Sequence, residues 1–195
     1  MIDTGVLESN QRFVLHPQAG CLNRNTHSDS ERGLFPVVIR EADKADSKVL
    51  AEVLRRSFRD VAERFGLTPE NCPRSVAFHT DERVEADFAR GMQYYILQDN
   101  GTARGCVALE RPEPEFCYMG RLALLPECRR KGLGKALATR AFYEAWALGV
   151  RRVEIGMIAA DVKLSKWYAR LGFVPNGTKQ IDGFPFEVGF MVKKV

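Results

Sequence analysis

The spacing of apolar residues changes period several times along the chain, and each change marks an element. Val37-Val38-Ile39 is a short continuous apolar run, as buried strands show. Val49, Val53, Leu54, Phe58, Val61 and Phe65 then recur at helical spacing, with Asp43 or Asp46 as N-cap and Gly66 as the stop. A second helix is predicted behind Thr80. Asp81 and Glu82 occupy its first turn, Val84 and Phe88 stand at i and i+4, and Gly91 ends it. Strands follow at Gln93–Gln98 and Arg104–Glu110, joined by the tight turn Asp99-Asn100-Gly101. The Pro-rich segment Arg111–Glu115 turns the chain into a third strand, Phe116–Leu124, and Pro126 blocks its continuation. Leu133, Leu137, Ala141, Ala145 and Leu148 form the buried stripe of a helix from about Gly132 to Leu148, ended by Gly149. A strand at Arg152–Ile158, a short helix at Val162–Leu171 stopped by Gly172, and a terminal hairpin complete the pattern. Its strands are about Phe173–Gln180 and Phe186–Val192, around Asp182-Gly183.

The order β-α-α-β-β-β-α-β-α-β-β predicts an α/β (α+β) domain with a mixed central sheet of about six to seven strands and about four helices. Strand, helix, strand over residues 116–158 implies a right-handed parallel crossover, so one central pair is parallel and the rest antiparallel. Residues 1–34 are polar and aperiodic. They are expected to form a loosely ordered N-terminal extension, or an arm draped on a single domain spanning residues 35–195.

Composition narrows the class. The 195 residues are 45% hydrophobic and 28% charged, which suits one soluble globular domain and excludes disordered, collagen-like or fibrous chains. Met1–Asn10 lacks the basic and apolar regions of a secretory signal, and no run approaches the roughly 18 apolar residues of a membrane helix. A cytoplasmic protein without a membrane partner is expected. The five cysteines, Cys21, Cys72, Cys106, Cys117 and Cys128, contain no C-x-x-C pair, so no metal site is expected; Cys106 and Cys117 read as buried thiols. The net charge of +4 is too mild to argue for nucleic acid alone. Arg129, Arg130, Lys131 and Lys135, however, form one tight cluster.

That cluster surrounds the chemistry. In Leu122-Ala-Leu-Leu-Pro-Glu-Cys-Arg-Arg-Lys-Gly-Leu-Gly-Lys-Ala-Leu137 a strand ends, a turn follows and a helix begins with Gly132-x-Gly134. The first helical turn leaves N–H groups unpaired, the helix dipole adds positive charge, and glycines let a phosphate approach the backbone. The Walker pattern fails because Arg129 and Ala136 stand at its first Gly and its Ser/Thr positions. The dinucleotide fingerprint fails because Leu137 occupies its third glycine position. What remains, Arg129-x-x-Gly132-x-Gly134, resembles motif A of the GNAT superfamily of N-acetyltransferases, where that loop holds the pyrophosphate of acetyl-CoA. A second motif of the family is an Asn, then a Tyr seven residues later followed by x-x-x-Gly-Phe. The segment Asp161-Val-Lys-Leu-Ser-Lys-Trp-Tyr168-Ala-Arg-Leu-Gly172-Phe173 matches it, with Asp161 in place of the Asn. The resemblance covers about residues 36–195.

The resemblance implies a GNAT-like domain with acetyl-CoA as cosubstrate and no metal. The two parallel strands splay apart, and the pantetheine arm pairs with the backbone of Leu122, Ala123 and Leu124. The pyrophosphate is held by the loop Arg129, Arg130, Lys131, Gly132, Leu133, Gly134 and Lys135, with Asp161 at the family's Asn position. A primary amine attacks the thioester directly, and Tyr168 is the implied general acid, facing the cleft while Trp167 packs. In some relatives a Glu stands six residues before the last pantetheine-pairing residue; here that position is Tyr118. Glu110, Glu115, Glu154 or a water chain are the alternatives for the base, and a nucleophilic Cys117 or Cys128 is the competing route. The acceptor, a small-molecule or peptide amine, should lie over the first two helices and the terminal hairpin. Phe58, Phe65, Phe78, Tyr94 and Phe184 are available to line it, and Glu63, Asp81, Glu82, Glu85 and Asp87 to attract a cation. A homodimer through the C-terminal strands is a family-level expectation. Two other readings stand beside this one: a non-catalytic CoA-binding regulatory module, and nucleic-acid binding through Arg129–Lys135.

Overall fold

The computed structural model describes residues 13–14 and 37–195. Most of the expected extension over residues 1–34 therefore lies outside the described residues. Within it, β1 (Phe13–Val14) pairs antiparallel with β2 (Val38–Glu41). The remaining elements follow the predicted order: α1 (Ser47–Phe65), α2 (Asp81–Ala89), β3 (Gln93–Asp99), β4 (Thr102–Glu113), β5 (Phe116–Leu124), α3 (Leu133–Ala147), β6 (Arg152–Ile158), α4 (Val162–Arg170), β7 (Val174–Gln180) and β8 (Glu187–Lys194).

Local chemistry accounts for the ends. Asp43 caps a 3-10 turn whose own Asp46 reaches back to the Asp43 amide, and this capping box leads into α1. Asp46 also takes both ends of the Arg40 guanidinium at 2.7 Å, tying β2 to the helix start. Gly66 ends α1 at φ 61, and the Thr80 side chain caps α2. Asn100 and Gly101, at φ 51 and 73, make the two-residue turn between β3 and β4. One prediction fails at the other end of β4. The strand runs past Glu110 to Glu113, which pairs with Phe116; Arg111 and Pro112 sit unpaired where the ladder slips, as suits a proline without an N–H, and the turn is confined to Pro114 and Glu115.

The sheet order is β1-β2-β3-β4-β5-β6-β8-β7, and among the described residues only β5–β6 is parallel. Alternation along each strand sends residues to two cores. Tyr95, Leu97, Val107, Leu109, Cys117 and Met119 pack under α3 and α4; Tyr94, Ile96, Cys106 and Ala108 pack under α1 and α2. Leu50 and Leu54 of α1 are fully buried, so truncating either to alanine costs about 2–5 kcal/mol. Among the described residues no helix is long and apolar enough to cross a membrane, and no cluster of three metal-ligating side chains forms.

Candidate active site

The parallel pair is short. Phe116, Cys117 and Tyr118 pair with Arg152, Val153 and Glu154, and pairing stops there. Beyond Tyr118 the β6-facing edge of β5, including Leu122, Ala123 and Leu124, has no strand partner among the described residues. Along that edge Leu124 C=O accepts from Arg129 Nε at 3.2 Å, and the remaining backbone groups have no strand to pair with among the described residues. Leu125 N–H continues the other edge by bonding Arg104 C=O at 2.9 Å.

The chain leaves β5 through a 3-10 turn at Pro126–Cys128 and enters α3 through two left-handed residues, Arg130 at φ 61 and Gly132 at φ 78. Such alternation turns successive amides toward one side, as anion-binding nests require. No side chain caps α3, and its first intrahelical bond is Ala136 N–H to Gly132 C=O. The amides of Leu133, Gly134 and Lys135 therefore lie ahead of the helical ladder. The two glycines have different physical reasons. Gly132 is needed for its backbone conformation, with open space around it. A Cβ on Gly134 would lie 3.4 Å from both Leu124 and the Trp167 ring, so Gly134 lets α3 sit close to β5 and α4.

The basic side chains divide. Arg129 is anchored: it donates to Leu124 C=O (3.2 Å), to Ser57 C=O (2.6 Å) and to both Asp60 oxygens (2.6 and 3.0 Å). It holds α1 against the loop and keeps the Asp60 carboxyl below its usual range. Arg130, Lys131 and Lys135 form no ion pair with any described residue. Asp161 is likewise engaged. One oxygen caps α4 through Leu164 N–H at 3.1 Å, and the other accepts from Arg64 of α1.

Leu122, Leu124, Leu133, Trp167 and Tyr168 meet in one apolar cluster. Trp167 is partly buried, edge-on to Tyr168 at 4.9 Å between ring centroids, and Tyr168 in turn lies edge-on to Phe173 at 5.5 Å. Tyr168 is only 7% exposed, so its ring is a core residue rather than an open wall of the cleft, and burial pushes its pKa up. The phenol thus carries its proton throughout the neutral range.

The alternatives for the base sort by position. Glu115 lies at the far end of β5, about 20 Å of strand from Leu122. Glu110 and Glu154 flank Tyr118 in register on β4 and β6, and Glu154 accepts from Arg152 Nε at 2.8 Å. Cys117 and Cys128 are buried; burial pushes the Cys117 thiol up, which disfavours a nucleophilic thiolate there. Of the residues expected to line an acceptor site, Phe58, Phe65, Phe78 and Phe184 come together, joined by Phe186, where the end of α1 meets the β7–β8 hairpin. Tyr94 does not join them; it is buried under α2, donating to Asp87 at 2.5 Å. Of the five acidic residues, Asp81 pairs with Arg55, Glu85 with Lys44, and Asp87 with Arg90 and Arg121. Glu63 lines an open groove of about 570 Å³ together with Arg55, Arg56, Arg59, Leu67 and Phe78.

Residues 55–173 match the family described as the acetyltransferase (GNAT) family. An uncharacterized N-acetyltransferase, YjgM, of Escherichia coli is 27% identical over 139 residues, covering 70% of this chain and 81% of that protein. Among solved structures, a phosphinothricin acetyltransferase of Sinorhizobium meliloti in complex with acetyl-CoA superposes with a TM-score of 0.63 at 21% identity. That match covers 82% of this chain and 88% of the other. A ribosomal-protein-alanine N-acetyltransferase of Brucella melitensis gives 0.60 at 19% identity, covering 80% and 99%. With its family match spanning more than half its length, and with the opened parallel pair and uncapped helix start in place, this chain belongs to the GNAT acetyltransferase family.

Proposed function

We propose that this chain is an acetyl-CoA-dependent N-acetyltransferase that acetylates a primary amine by direct attack on the thioester. One observation carries the reading: the unpaired edge of β5 runs straight into a nest of amides at the uncapped start of α3. The residues present fit acetyl-CoA. Leu122–Leu124 offer backbone groups to the pantetheine amides, and the amides of Arg130 through Lys135 suit the pyrophosphate. Arg130, Lys131 and Lys135 add side-chain charge, whereas Arg129 contributes by fixing the loop to α1. Asp161 supports the site indirectly, as the cap that starts α4.

Bound acetyl-CoA supplies the acyl thioester. A β5 amide directed into the opening stabilises negative charge developing on the carbonyl oxygen. Tyr168 holds a proton for the departing thiolate, a role worth about 10²–10⁴-fold in rate. The acceptor amine, with an ordinary pKa of about 10, must arrive neutral. Its proton passes to Glu110, to Glu154 or to water, since Tyr118 stands where some relatives have a Glu. The acceptor, a small-molecule or peptide amine, approaches over the first two helices and the terminal hairpin, with the phenylalanine cluster between the end of α1 and that hairpin.

The test combines calorimetric titration with acetyl-CoA and thiol release over a panel of amines. Binding with acceptor-dependent thiol release is expected. Binding without release from any amine supports a regulatory CoA-binding module, a reading favoured by Tyr118 at the base position. Binding of an oligonucleotide in place of acetyl-CoA defeats both. The four buried free thiols Cys72, Cys106, Cys117 and Cys128 support a reducing, cytoplasmic setting. The exposed edge strand β7 is the surface for a homodimer, which light scattering detects as twice the 22.0 kDa mass.

A further inference from the structure

The β4–β5 ladder slips at a point the sequence pattern does not reveal. Ala108 pairs with Gly120 and Cys106 with Ala123, so three steps on β5 face two on β4. Arg121 occupies the bulge at φ 53, a left-handed conformation that strains any residue with a side chain. The extra residue reverses the alternation of everything after it. Cys117 and Met119 pack toward α3, and so do Leu122 and Leu124, while Ala123 packs toward α1 and α2. Without the bulge, residues 121 and 123 would share the face of 117 and 119, and both leucines would turn away. Backbone donors and acceptors alternate with the side chains. The same slip therefore decides which groups of Leu122–Leu124 face the opening beside β6.

The strain is held from outside the strand. Arg121 Nη2 lies 3.3 Å from Asp87 Oδ2 on α2. Asp87 is 2% exposed, and the same oxygen accepts from Tyr94 Oη at 2.5 Å while its Oδ1 accepts from Arg90. His79 Nε2 stands 3.9 Å from Asp87 Oδ2. Cys106 Sγ donates to Arg121 C=O at 3.6 Å from β4. We propose that Arg121 is a positioning residue: its ion pair with Asp87 clamps the bulge and so sets the backbone groups of Leu122–Leu124 that receive the acyl thioester. This rests on reading the opening beside β5 as the acetyl-CoA site.

Calorimetric titration with acetyl-CoA on two variants tests the clamp, with circular dichroism confirming the fold of each. Arg121→Ala keeps the strain and removes the clamp, so affinity falls about tenfold or more. Arg121→Gly also removes the clamp, but glycine adopts the left-handed conformation freely, so affinity stays within about threefold of wild type. A purely structural arginine would make the glycine variant no better than the alanine one. Equal affinity of wild type and Arg121→Ala overturns the clamp. A glycine variant as weak as the alanine one overturns it as well, since the guanidinium then acts on ligand or fold directly. If Arg121→Ala does not fold, the glycine variant alone decides by the same threefold criterion. Wild-type protein that binds no acetyl-CoA removes the site reading itself, and the clamp with it; binding by wild type separates the two failures.

Discussion

At the scale of single residues, three tests bear on chemistry, loop geometry and packing. The Tyr168 hydroxyl makes no hydrogen bond to a described residue, and burial holds the phenol protonated. Tyr168→Phe is expected to lower kcat about 10²-fold while leaving acetyl-CoA affinity unchanged, as steady-state kinetics and titration will show. Gly132 at φ 78 has room for a methyl group but not the backbone freedom for one. Gly132→Ala should weaken acetyl-CoA binding about tenfold through the misaligned nest. Gly134→Val acts differently, because it presses on Leu124 and Trp167. It should cost about 1–3 kcal/mol of unfolding free energy in urea melts. The pair Gly-x-Gly was legible in the sequence as an anion-binding helix start, but its division of labour was not. A glycine needed for φ and a glycine needed for contact look alike until their neighbours are known.

At the scale of elements, α1 joins the two halves of the opening. It reaches the α3 loop through Asp60–Arg129 and the start of α4 through Arg64–Asp161. Both partners on the site side are residues that motif resemblance points to for the cofactor. Each motif position thus also fixes a helix, which spacing alone does not show. Asp161→Asn preserves a good N-cap while removing the charge that pairs with Arg64; Asp161→Ala removes both. Thermal melts should place Asp161→Asn close to wild type, or slightly below it, and Asp161→Ala lower by about a further 1 kcal/mol, the usual worth of a cap. Equal loss in both variants would assign the role to the ion pair instead. The helix over Val162–Leu171 was readable from its apolar spacing. Its anchoring to α1 across 97 positions of sequence was not.

At the scale of the molecule, a buried polar network ties the helical layer of α1 and α2 to the sheet. His79 is 4% exposed, and its pKa falls to about 4, chiefly through burial and then through the nearby Arg121. The folded state therefore binds fewer protons than the unfolded chain between about pH 4 and the ordinary 6.5. Stability is full above the upper value and is lost as pH falls toward the lower, by up to about 3 kcal/mol. Urea midpoints at pH 7 and pH 4.5 should differ more for wild type than for His79→Gln; identical differences would clear His79 of the effect. The order of elements, the amphipathic helices, the parallel crossover and the glycine-flanked loop were determined by the sequence itself, because periodicity, caps and turn residues act over a few neighbouring positions. Only the tertiary structure decided the bulge at Arg121, the early parting of β5 from β6, the insertion of β8 between β6 and β7, and the commitment of Arg129, Asp161 and Asp87 to ion pairs. Those outcomes depend on partners far away in the chain, and pairing energy between distant residues leaves no local signature for a pattern to carry.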